Sequence, residues 1–266
     1  MTIPKIIHQI YWDFYGDNKE IPGGWRKYHL TWKEKFPEPE YTHVLWDYDK
    51  SRDLIKENYN WFLRTFDNYP KHIQRVDSVR YFIMYHYGGI YADLDCEVRK
   101  NFYKDLVPDK INLVGNPYSS NPRHSMNNLM ASNKGNKNWK KAFDVLNTRK
   151  NNFFTLSSTG PIVLIDAFKN KGDAHILPFE DFNPLKKREG LRYIETLFLK
   201  SYKERIRSWD TAKVVHHGSE SWGKAEVKSF FKHYGIIIFL LLLLIGYILY
   251  RKFYLKEKFI FSKNYI

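Results

Sequence analysis

The segment Ile73–Arg99, with the sequence IQRVDSVRYFIMYHYGGIYADLDCEVR, constrains the fold more than any other part of this 266-residue chain. Asp77 and Arg80 are three residues apart, so a helix places both on one face. Gly88 and Gly89 then predict the end of that helix and a tight reversal. The apolar residues that follow predict a short buried strand. We therefore expect a helix, a turn and a strand that ends in acidic residues.

Asp93 and Asp95 follow the predicted strand directly. Side chains alternate between the two faces of a strand, so this spacing places both carboxylates on the same side. Two carboxylates at a strand end suit Mn²⁺ or Mg²⁺ on a diphosphate, because these ions combine a few protein carboxylates with phosphate oxygens and water. The sequence therefore predicts a divalent metal site, with Mn²⁺ or Mg²⁺ as the cofactor.

The stretch RVDSVRYFIMYHYGGIYADLD resembles the DxD glycosyltransferases of family 32. That family includes initiating α-1,6-mannosyltransferases and inositol-phosphorylceramide mannosyltransferases, and the similarity is best to the second group. The stretches YPKHIQRVDSVRYF, STGP and GSESW extend it over roughly residues 3 to 230. The resemblance implies an α/β fold of the GT-A type, which is a Rossmann-like fold that binds a nucleotide-sugar. It also implies a transferase that retains the configuration of the sugar.

The same resemblance implies roles for individual residues. Asp77 and Arg80 would hold the donor sugar and its phosphate side, whereas Asp93 and Asp95 would hold the metal. These four are the predicted catalytic residues, and Tyr91 is a further candidate donor-binding residue. Without the resemblance, Asp77 and Arg80 indicate an ordinary helix ion pair worth about 0.2–0.5 kcal/mol.

An apolar run near the N-terminus, Ile3–Trp12, predicts the first buried strand of an α/β sheet. In the family that the chain resembles, the end of this strand carries an aromatic residue near the nucleotide base. Tyr11 occupies that position and Trp12 lies beside it, so both are candidate donor-binding residues. Packing of both side chains in the core is the alternative. A helix over Gly23–Phe36 and a second strand over Tyr41–Trp46 are expected to follow.

The middle of the chain continues the α/β pattern. Ser51–Tyr69 has a helical period with an expected break near Asn58–Asn60. Asn112–Asn116, Asn127–Ala131 and His175–Phe179 predict strands, and Lys137–Lys150 predicts a helix. The polar loop Pro117–Ser125 between the two strands could cover an acceptor. Ser157–Pro161 offers an N-cap and backbone donors at the start of another helix.

A late strand and turn, Val214–Trp222, resembles the closing HH…SW motif of the family. This likeness implies a third metal ligand, and it places Ser221 and Trp222 among the donor-binding residues. His216 and His217 are adjacent, so in a strand they face opposite ways and only one can reach the metal. We predict His217 as that ligand. The alternatives are His216, Ser219 and Ser221.

The run Gly235–Tyr250, GIIIFLLLLLIGYILY, is sixteen residues without a charge. As a helix it is about 24 Å long, against about 30 Å for the hydrocarbon core of a bilayer. Flanking aromatic residues can extend it into the interface. We predict a glycosyltransferase domain over residues 1–230, a transmembrane helix over 234–252 and a short basic tail over 253–266.

The orientation of that segment in the membrane stays open. The flank after it is the more basic one, which favours a cytosolic tail. The single cysteine, the lack of N-x-S/T sequons and the lack of an N-terminal signal favour a cytosolic enzyme instead. Eukaryotic members of the family that the chain resembles usually work in the Golgi lumen, which favours a lumenal enzyme. The predicted location is thus a single-pass membrane protein with the side of the catalytic domain unresolved.

The charge of the chain bears on its partners. The formal net charge is +14, which suits a nucleotide-sugar or an anionic membrane surface. The basic residues form no compact stripe and no nucleic-acid motif is present, so no nucleic-acid partner is expected. The predicted partners are a nucleotide-sugar donor, with GDP-mannose favoured, a lipid or glycan acceptor, and the membrane.

The resemblance implies a metal-dependent retaining transferase that moves a hexose, with mannose from GDP-mannose favoured, onto a glycolipid such as inositol phosphorylceramide. One alternative is transfer from a UDP-sugar of galactose, glucose or N-acetylglucosamine onto a glycan. Another is an inactive, membrane-anchored sugar-binding protein. A phosphatase of the haloacid-dehalogenase kind also carries DxD after a strand, but it needs Thr or Val where this chain has Glu97.

Overall fold

The computed structural model describes residues 2–13, 20–170, 172–184, 211–218 and 234–252. Two compact units divide the chain, Met1–Ser219 and Glu220–Ile266. Ser219, Ser221 and Trp222 lie outside the described residues, so their expected roles stay predictions.

Strands and helices alternate through most of the first unit. In chain order the elements are β1 (Ile6–Ile10), α1 (Gly23–Lys35), β2 (Thr42–Trp46), α2 (Tyr48–Asn58), α3 (Asn60–Asn68), α4 (His72–Tyr87), β3 (Gly89–Ala92), β4 (Cys96–Val98), β5 (Ile111–Gly115), β6 (Ser125–Ser132), α5 (Trp139–Arg149), α6 (Thr155–Ser158), α7 (Pro161–Ala167), β7 (Ala174–Leu177), α8 (Phe179–Phe182), β8 (Val214–His216) and α9 (Tyr234–Lys252).

Six of these strands form one mixed sheet in the order β2-β1-β3-β6-β5-β7. The strands β1, β2 and β3 are parallel, β6 is antiparallel to both β3 and β5, and β7 is parallel to β5. Five strands therefore run in one direction and end at the same edge, which we call the catalytic edge. The predicted Rossmann-like α/β class is confirmed by this sheet. A separate two-stranded sheet pairs β4 with β8.

Hydrophobic residues cover both faces of the large sheet, as expected for mostly parallel strands. On one face, Ile7 of β1 packs in a cluster with Trp32 and Phe36 from α1 and its end. On the other face, Ile10 belongs to a larger cluster that includes Phe82 of α4. The side chains of β1 thus alternate between two cores. This alternation anchors the strand at the centre of the fold.

The turn between α4 and β3 requires its two glycines. Gly88 and Gly89 have φ values of +67° and +91°, which residues other than glycine rarely adopt. A Cβ atom on Gly89 would also lie 2.5 Å from the carbonyl oxygen of Ile6. The close approach lets β3 pair directly with β1. As a result, the residues after β3 and the end of β1 meet at the catalytic edge.

Several predicted boundaries differ from the observed ones. The first strand is shorter than Ile3–Trp12, because only Ile6–Ile10 pairs with its neighbours. Ser51–Tyr69 forms two helices that meet at Tyr59, close to the expected break. The predicted strand His175–Phe179 ends at Leu177, since Phe179 already begins α8.

One helix among the described residues is long and apolar enough to cross a membrane. It is α9, with 19 residues, and its most apolar part is not buried. Length and composition alone carry this statement. The helix contains the uncharged run Gly235–Tyr250.

His8 gives the fold a measurable pH dependence. Burial lowers the pKa of His8 to about 4, and a hydrogen bond to the Gly88 carbonyl only partly offsets this. The neutral ring donates from Nε2 to that carbonyl at 3.0 Å and accepts at Nδ1 from the indole of Trp46 at 3.1 Å. Because the unfolded chain binds this proton first, the stability is complete above pH about 6.5 and falls towards pH 4.

We therefore expect His8 to contribute a loss of about 3 kcal/mol in unfolding free energy between pH 6.5 and 4. Urea denaturation of the wild type and the His8→Asn variant across this range would measure it. The variant should be less stable at pH 7 but should show a flatter pH profile. Two profiles of equal slope would contradict the assignment.

Candidate active site

The acidic pair lies in a tight turn at the catalytic edge. Asp93 follows β3, its N–H donates to the Asn128 carbonyl at 2.8 Å, and its own carbonyl accepts from the N–H of Cys96 at 3.0 Å. Residues 93–95 therefore reverse the chain between β3 and β4. We expected strand alternation to place Asp93 and Asp95 on one side, but neither residue belongs to a strand. The turn brings them near each other instead, and the charge of Asp95 acts on Asp93.

Arg80 joins the helix to this turn. Its guanidinium contacts Asp77 at 2.6 Å and Asp93 at 3.1 Å, and it donates to the Asn127 carbonyl at 2.9 Å. The Arg80 side chain is only 3% exposed. The spacing of Asp77 and Arg80 alone would indicate an ion pair on the helix surface. The structure shows a buried network instead. The structure brings three of the four predicted catalytic residues into direct contact.

Tyr91 has a supporting place in this network. Its ring lies under the Arg80 guanidinium, 4.9 Å away, and its hydroxyl donates to Asp93 Oδ1 at 2.7 Å. The side chain is 1% exposed. We predicted Tyr91 as a donor-binding residue, but its hydroxyl is already bonded to Asp93. Its observed contacts position the carboxylate.

The charges of this network shift the affinity of its groups for protons. Burial alone would lower the pKa of Arg80, but the carboxylates of Asp93 and Asp77 outweigh it and raise that pKa. Burial raises the pKa of Asp93, and Arg80 offsets only part of this effect. Arg80 thus pairs with the carboxylates of Asp77 and Asp93, while the charge of Asp95 acts on Asp93 and raises its pKa further.

His216, and not His217, lies beside Asp95. His216 Nε2 is 3.2 Å from Asp95 Oδ1, because β8 pairs with β4 in a register that aligns His216 with Cys96. Burial alone would lower the pKa of His216, but the charges of Asp95 and Asp93 and the hydrogen bond raise it. The structure therefore brings His216, and not the predicted His217, to the carboxylates, and His216 is the candidate third ligand.

The His217 side chain points to a different group. Its Nε2 is 2.8 Å from Glu97 Oε2, and its ring stacks on Tyr28 of α1 with centroids 4.0 Å apart. The hydrogen bond from His217 is the largest cause of the lowered pKa of Glu97. Its backbone N–H donates to the Asp95 carbonyl at 2.8 Å. His217 thus supports the turn without offering its ring to it.

The donor set suits a hard divalent cation. Among the described residues, potential ligand atoms of Asp95, Cys96 and His216 lie within 4.8 Å of one another. Burial raises the pKa of the Cys96 thiol well above its ordinary value, so it stays protonated. A thiol in that state is a poor ligand. The Asp95 carboxylate and the His216 imidazole remain, and a carboxylate is the kind of ligand that Mn²⁺ and Mg²⁺ prefer. Asp93 is outside this group, because its Oδ1 contacts Tyr91 and Arg80, and it stays a predicted ligand.

The Ser157–Pro161 segment closes the site from the other side. The Thr159 hydroxyl lies 3.5 Å from Asp77 Oδ2, and the Thr159 carbonyl accepts from Tyr81 at 2.7 Å. Asn127 Nδ2 donates to the same tyrosine hydroxyl at 3.2 Å. Neither Tyr81 nor Asn127 was predicted to be a site residue. The available signal for Tyr81 was its place directly after Arg80 in the stretch RVDSVRYF.

The two aromatic candidates at the end of β1 have different surroundings. Trp12 is 8% exposed and packs edge-on against Tyr48 and Phe66. Its expected donor-binding role is corrected to core packing, because it is enclosed by these rings. Tyr11 is partly exposed and meets Trp25 edge-on. Only Tyr11 keeps a surface that a ligand could contact.

The two histidines can be separated by experiment. If His216 completes the metal site, His216→Asn should raise the Mn²⁺ concentration for half-maximal turnover of a nucleotide-sugar by at least about tenfold. His217→Asn is the matched control, since it removes a neighbouring ring that bonds Glu97. It should leave the Mn²⁺ requirement nearly unchanged. The reverse pattern would restore His217 as the ligand.

Comparison with known families identifies part of the chain. Residues 22–114 match the family described as the glycosyltransferase sugar-binding region containing a DXD motif. The matched residues include Asp77, Arg80, Asp93 and Asp95.

Several curated proteins are similar over this part of the chain. Inositol phosphoceramide mannosyltransferase 2 of Schizosaccharomyces pombe is 38% identical over 139 residues, which cover 50% of this chain and 38% of that protein. The mannosyl phosphorylinositol ceramide synthases SUR1 and CSH1 of Saccharomyces cerevisiae are 44% and 46% identical, over 36% of this chain and 24% of each synthase. The chain thus spans between 24% and 38% of the length of these relatives.

Solved structures share less. The galactosyltransferase LgtC is 12% identical, with a TM-score of 0.47 over 80% of this chain and 87% of that chain. The PaToxG glycosyltransferase is 21% identical, with a TM-score of 0.47 over 62% of this chain and 68% of that chain. Both TM-scores are below 0.5.

Proposed function

Because this chain carries a DXD glycosyltransferase sugar-binding region at residues 22–114, we propose that it is a metal-dependent, retaining mannosyltransferase. The donor in this proposal is GDP-mannose and the acceptor is an inositol phosphoceramide. The observation that carries the proposal is the buried network of Asp77, Arg80 and Asp93 beside Asp95 and His216. The similarity to an inositol phosphoceramide mannosyltransferase and to mannosyl phosphorylinositol ceramide synthases supports the choice of substrates.

The chemistry needs a site that accepts developing negative charge. When the bond between the sugar and the nucleoside diphosphate breaks, charge accumulates on the leaving diphosphate. A divalent cation bound by Asp93, Asp95 and His216 would supply Lewis-acid stabilisation of that charge. Tyr91 and Arg80 keep the Asp93 carboxylate in place through bonds of 2.7 Å and 3.1 Å. Preorganised ligands of this kind need no rearrangement during the reaction.

Asp77 and Arg80 supply the polar wall on the sugar side. Asp77 is held by Arg80 at 2.6 Å and lies 3.5 Å from the Thr159 hydroxyl. A carboxylate fixed in this way can accept hydrogen bonds from sugar hydroxyls and so orient the donor. The guanidinium of Arg80 is close enough to the turn to add positive charge near the donor phosphates.

A donor panel tests the proposal. Purified full-length protein in detergent would be given GDP-mannose, UDP-galactose, UDP-glucose or UDP-N-acetylglucosamine with Mn²⁺ and inositol phosphoceramide. Mannose transfer that stops on chelation of the metal is the expected result. Turnover of a UDP-sugar alone would reassign the donor, and the absence of turnover with every donor would leave a sugar-binding protein.

We further propose that α9 anchors the enzyme in a membrane with a lipid acceptor. A chain that ends at Lys232 should keep transfer to a soluble headgroup analogue but lose most transfer to lipid in vesicles. The anchor raises the local concentration of acceptor, and that advantage does not apply to a dissolved analogue. Parallel assays of full-length and shortened protein on both acceptors would measure it. An equal loss on both acceptors would show that the segment belongs to the fold.

A further inference from the structure

Exposed apolar side chains are concentrated at the catalytic edge. In the described part of the first unit, six large apolar side chains are exposed: Leu30, Tyr48, Trp61, Tyr118, Phe154 and Leu156. Tyr48 begins the helix after β2, and Tyr118 lies in the loop between β5 and β6. Both positions are at the edge where the parallel strands end. Scattered exposed apolar residues are ordinary, but a group on one edge indicates a contact surface.

Phe154 and Leu156 lie at the same edge. They belong to the segment Asn151–Ser157, which includes the first residues of the short helix α6 and which we call the Phe154 loop. Lys71, at the start of α4, donates to the Phe153 carbonyl at 2.8 Å. The helix α4 runs back from the catalytic edge to the start of β3, so its first residues mark that edge. Phe154 is 51% exposed and Leu156 is 36% exposed.

The loop is also electrostatically one-sided. No acidic residue occurs between Asp144 and Asp166. Arg149 pairs with Asp166 and donates to the Ser157 carbonyl, so Lys150 and Lys71 are the cations that flank the loop. Lys150 is exposed, and the Lys71 ammonium lies 4.1 Å from the centre of the Phe153 ring. Exposed aromatic and aliphatic side chains with flanking cations are typical of protein surfaces that enter the interface of an anionic bilayer.

We propose that the Phe154 loop inserts into the headgroup region of an anionic lipid bilayer. The loop leads directly into Thr159, whose hydroxyl lies 3.5 Å from Asp77. A bilayer bound at Phe154 and Leu156 therefore sits a few residues from the candidate donor site. The purpose of this contact, delivery of a lipid headgroup to the cleft, rests on the proposed function. The insertion itself does not.

Depth-sensitive labelling of the full-length protein tests the insertion. Phe154→Cys would carry an environment-sensitive fluorophore, and the protein would be reconstituted in vesicles of phosphatidylcholine and phosphatidylinositol. The native Cys96 is buried, and labelling of the unmodified protein would verify that it does not react. The matched control is Asp109→Cys, an exposed position in the turn before β5, at the opposite edge of the sheet.

On vesicles, the emission of the fluorophore at Phe154 is expected to shift to the blue and to be quenched by spin-labelled lipids, whereas the fluorophore at Asp109 stays unaffected. Replacing phosphatidylinositol by phosphatidylcholine should reduce the quenching. No quenching at Phe154, or equal quenching at both positions, would overturn the proposal. This readout needs no turnover, so it separates the two hypotheses. Transfer without quenching refutes insertion alone, and quenching without transfer refutes the proposed function alone.

A paired substitution gives an independent readout. Phe154→Ser combined with Leu156→Ser removes the apolar surface and touches none of the residues placed at the metal or the donor. We expect about a tenfold loss of transfer to lipid in vesicles, since interfacial binding scales with buried apolar area. Transfer to a soluble headgroup analogue and the melting temperature should stay unchanged. An equal loss on the soluble acceptor would overturn the proposal.

Discussion

We expect Asp95→Asn to lower sugar transfer at least about a thousand-fold, because Lewis-acid stabilisation of a leaving group is worth several kcal/mol. The amide keeps the size of the side chain but removes the charge that holds the cation. Asp95 also lies 3.2 Å from His216, so the loss of this charge should lower the pKa of that histidine. The fold should persist, with only a modest change in melting temperature. Transfer assays across a Mn²⁺ titration and thermal melting would measure both effects.

Cys96→Ser is the matched control for this variant. Cys96 is the next residue, and its sulfur belongs to the same cluster of potential ligand atoms as Asp95 and His216. Because its thiol is buried and protonated, we expect serine to leave the Mn²⁺ requirement unchanged. Wild-type transfer by Asp95→Asn would remove the metal assignment. A large effect of Cys96→Ser on the Mn²⁺ requirement would make the thiol a ligand.

The second large effect is expected at Arg80. Arg80→Met should destabilise the protein by about 3–5 kcal/mol, because it leaves buried carboxylates without their counter-charge. It should also abolish transfer, since Asp77 and Asp93 lose the group that holds both. Arg80→Lys keeps the charge but cannot contact Asp77, Asp93 and the Asn127 carbonyl together. We expect about a hundred-fold slower transfer from the lysine variant.

Arg52→Met provides the control for the destabilisation. Arg52 makes a two-point ion pair with Asp67, at 2.9 Å and 2.8 Å, but about a third of each side chain is exposed. Solvent screens such pairs, so its loss should cost at most about 1 kcal/mol and should not slow transfer. Urea denaturation of the variants would compare them. Equal costs for Arg52→Met and Arg80→Met would show that burial adds nothing to the Arg80 network.

Local sequence determined the central helix, the glycine turn and the short strand. The reason is that these depend on short-range geometry: an i,i+3 spacing on a helix, and backbone angles that favour glycine. Asp93 and Asp95 follow that strand directly in the sequence, so they lie at its end whichever strands pair with it. The spacing also predicted that Asp77 pairs with Arg80. It did not predict that this pair is buried, because the burial depends on the Asn127 carbonyl and the Asp93 carboxylate, which β6 and β3 bring to the site.

Tertiary structure decided which histidine meets the carboxylates. Adjacent residues in a strand face opposite sides, so the sequence established that only one of His216 and His217 could do so. The choice depends on the register between β8 and β4, which aligns His216 with Cys96 across 120 residues of chain. That register is set by packing and hydrogen bonds between distant segments, and a shift of one residue would exchange the two rings. Local preferences carry no information about such a shift, and therefore only the folded chain selects His216.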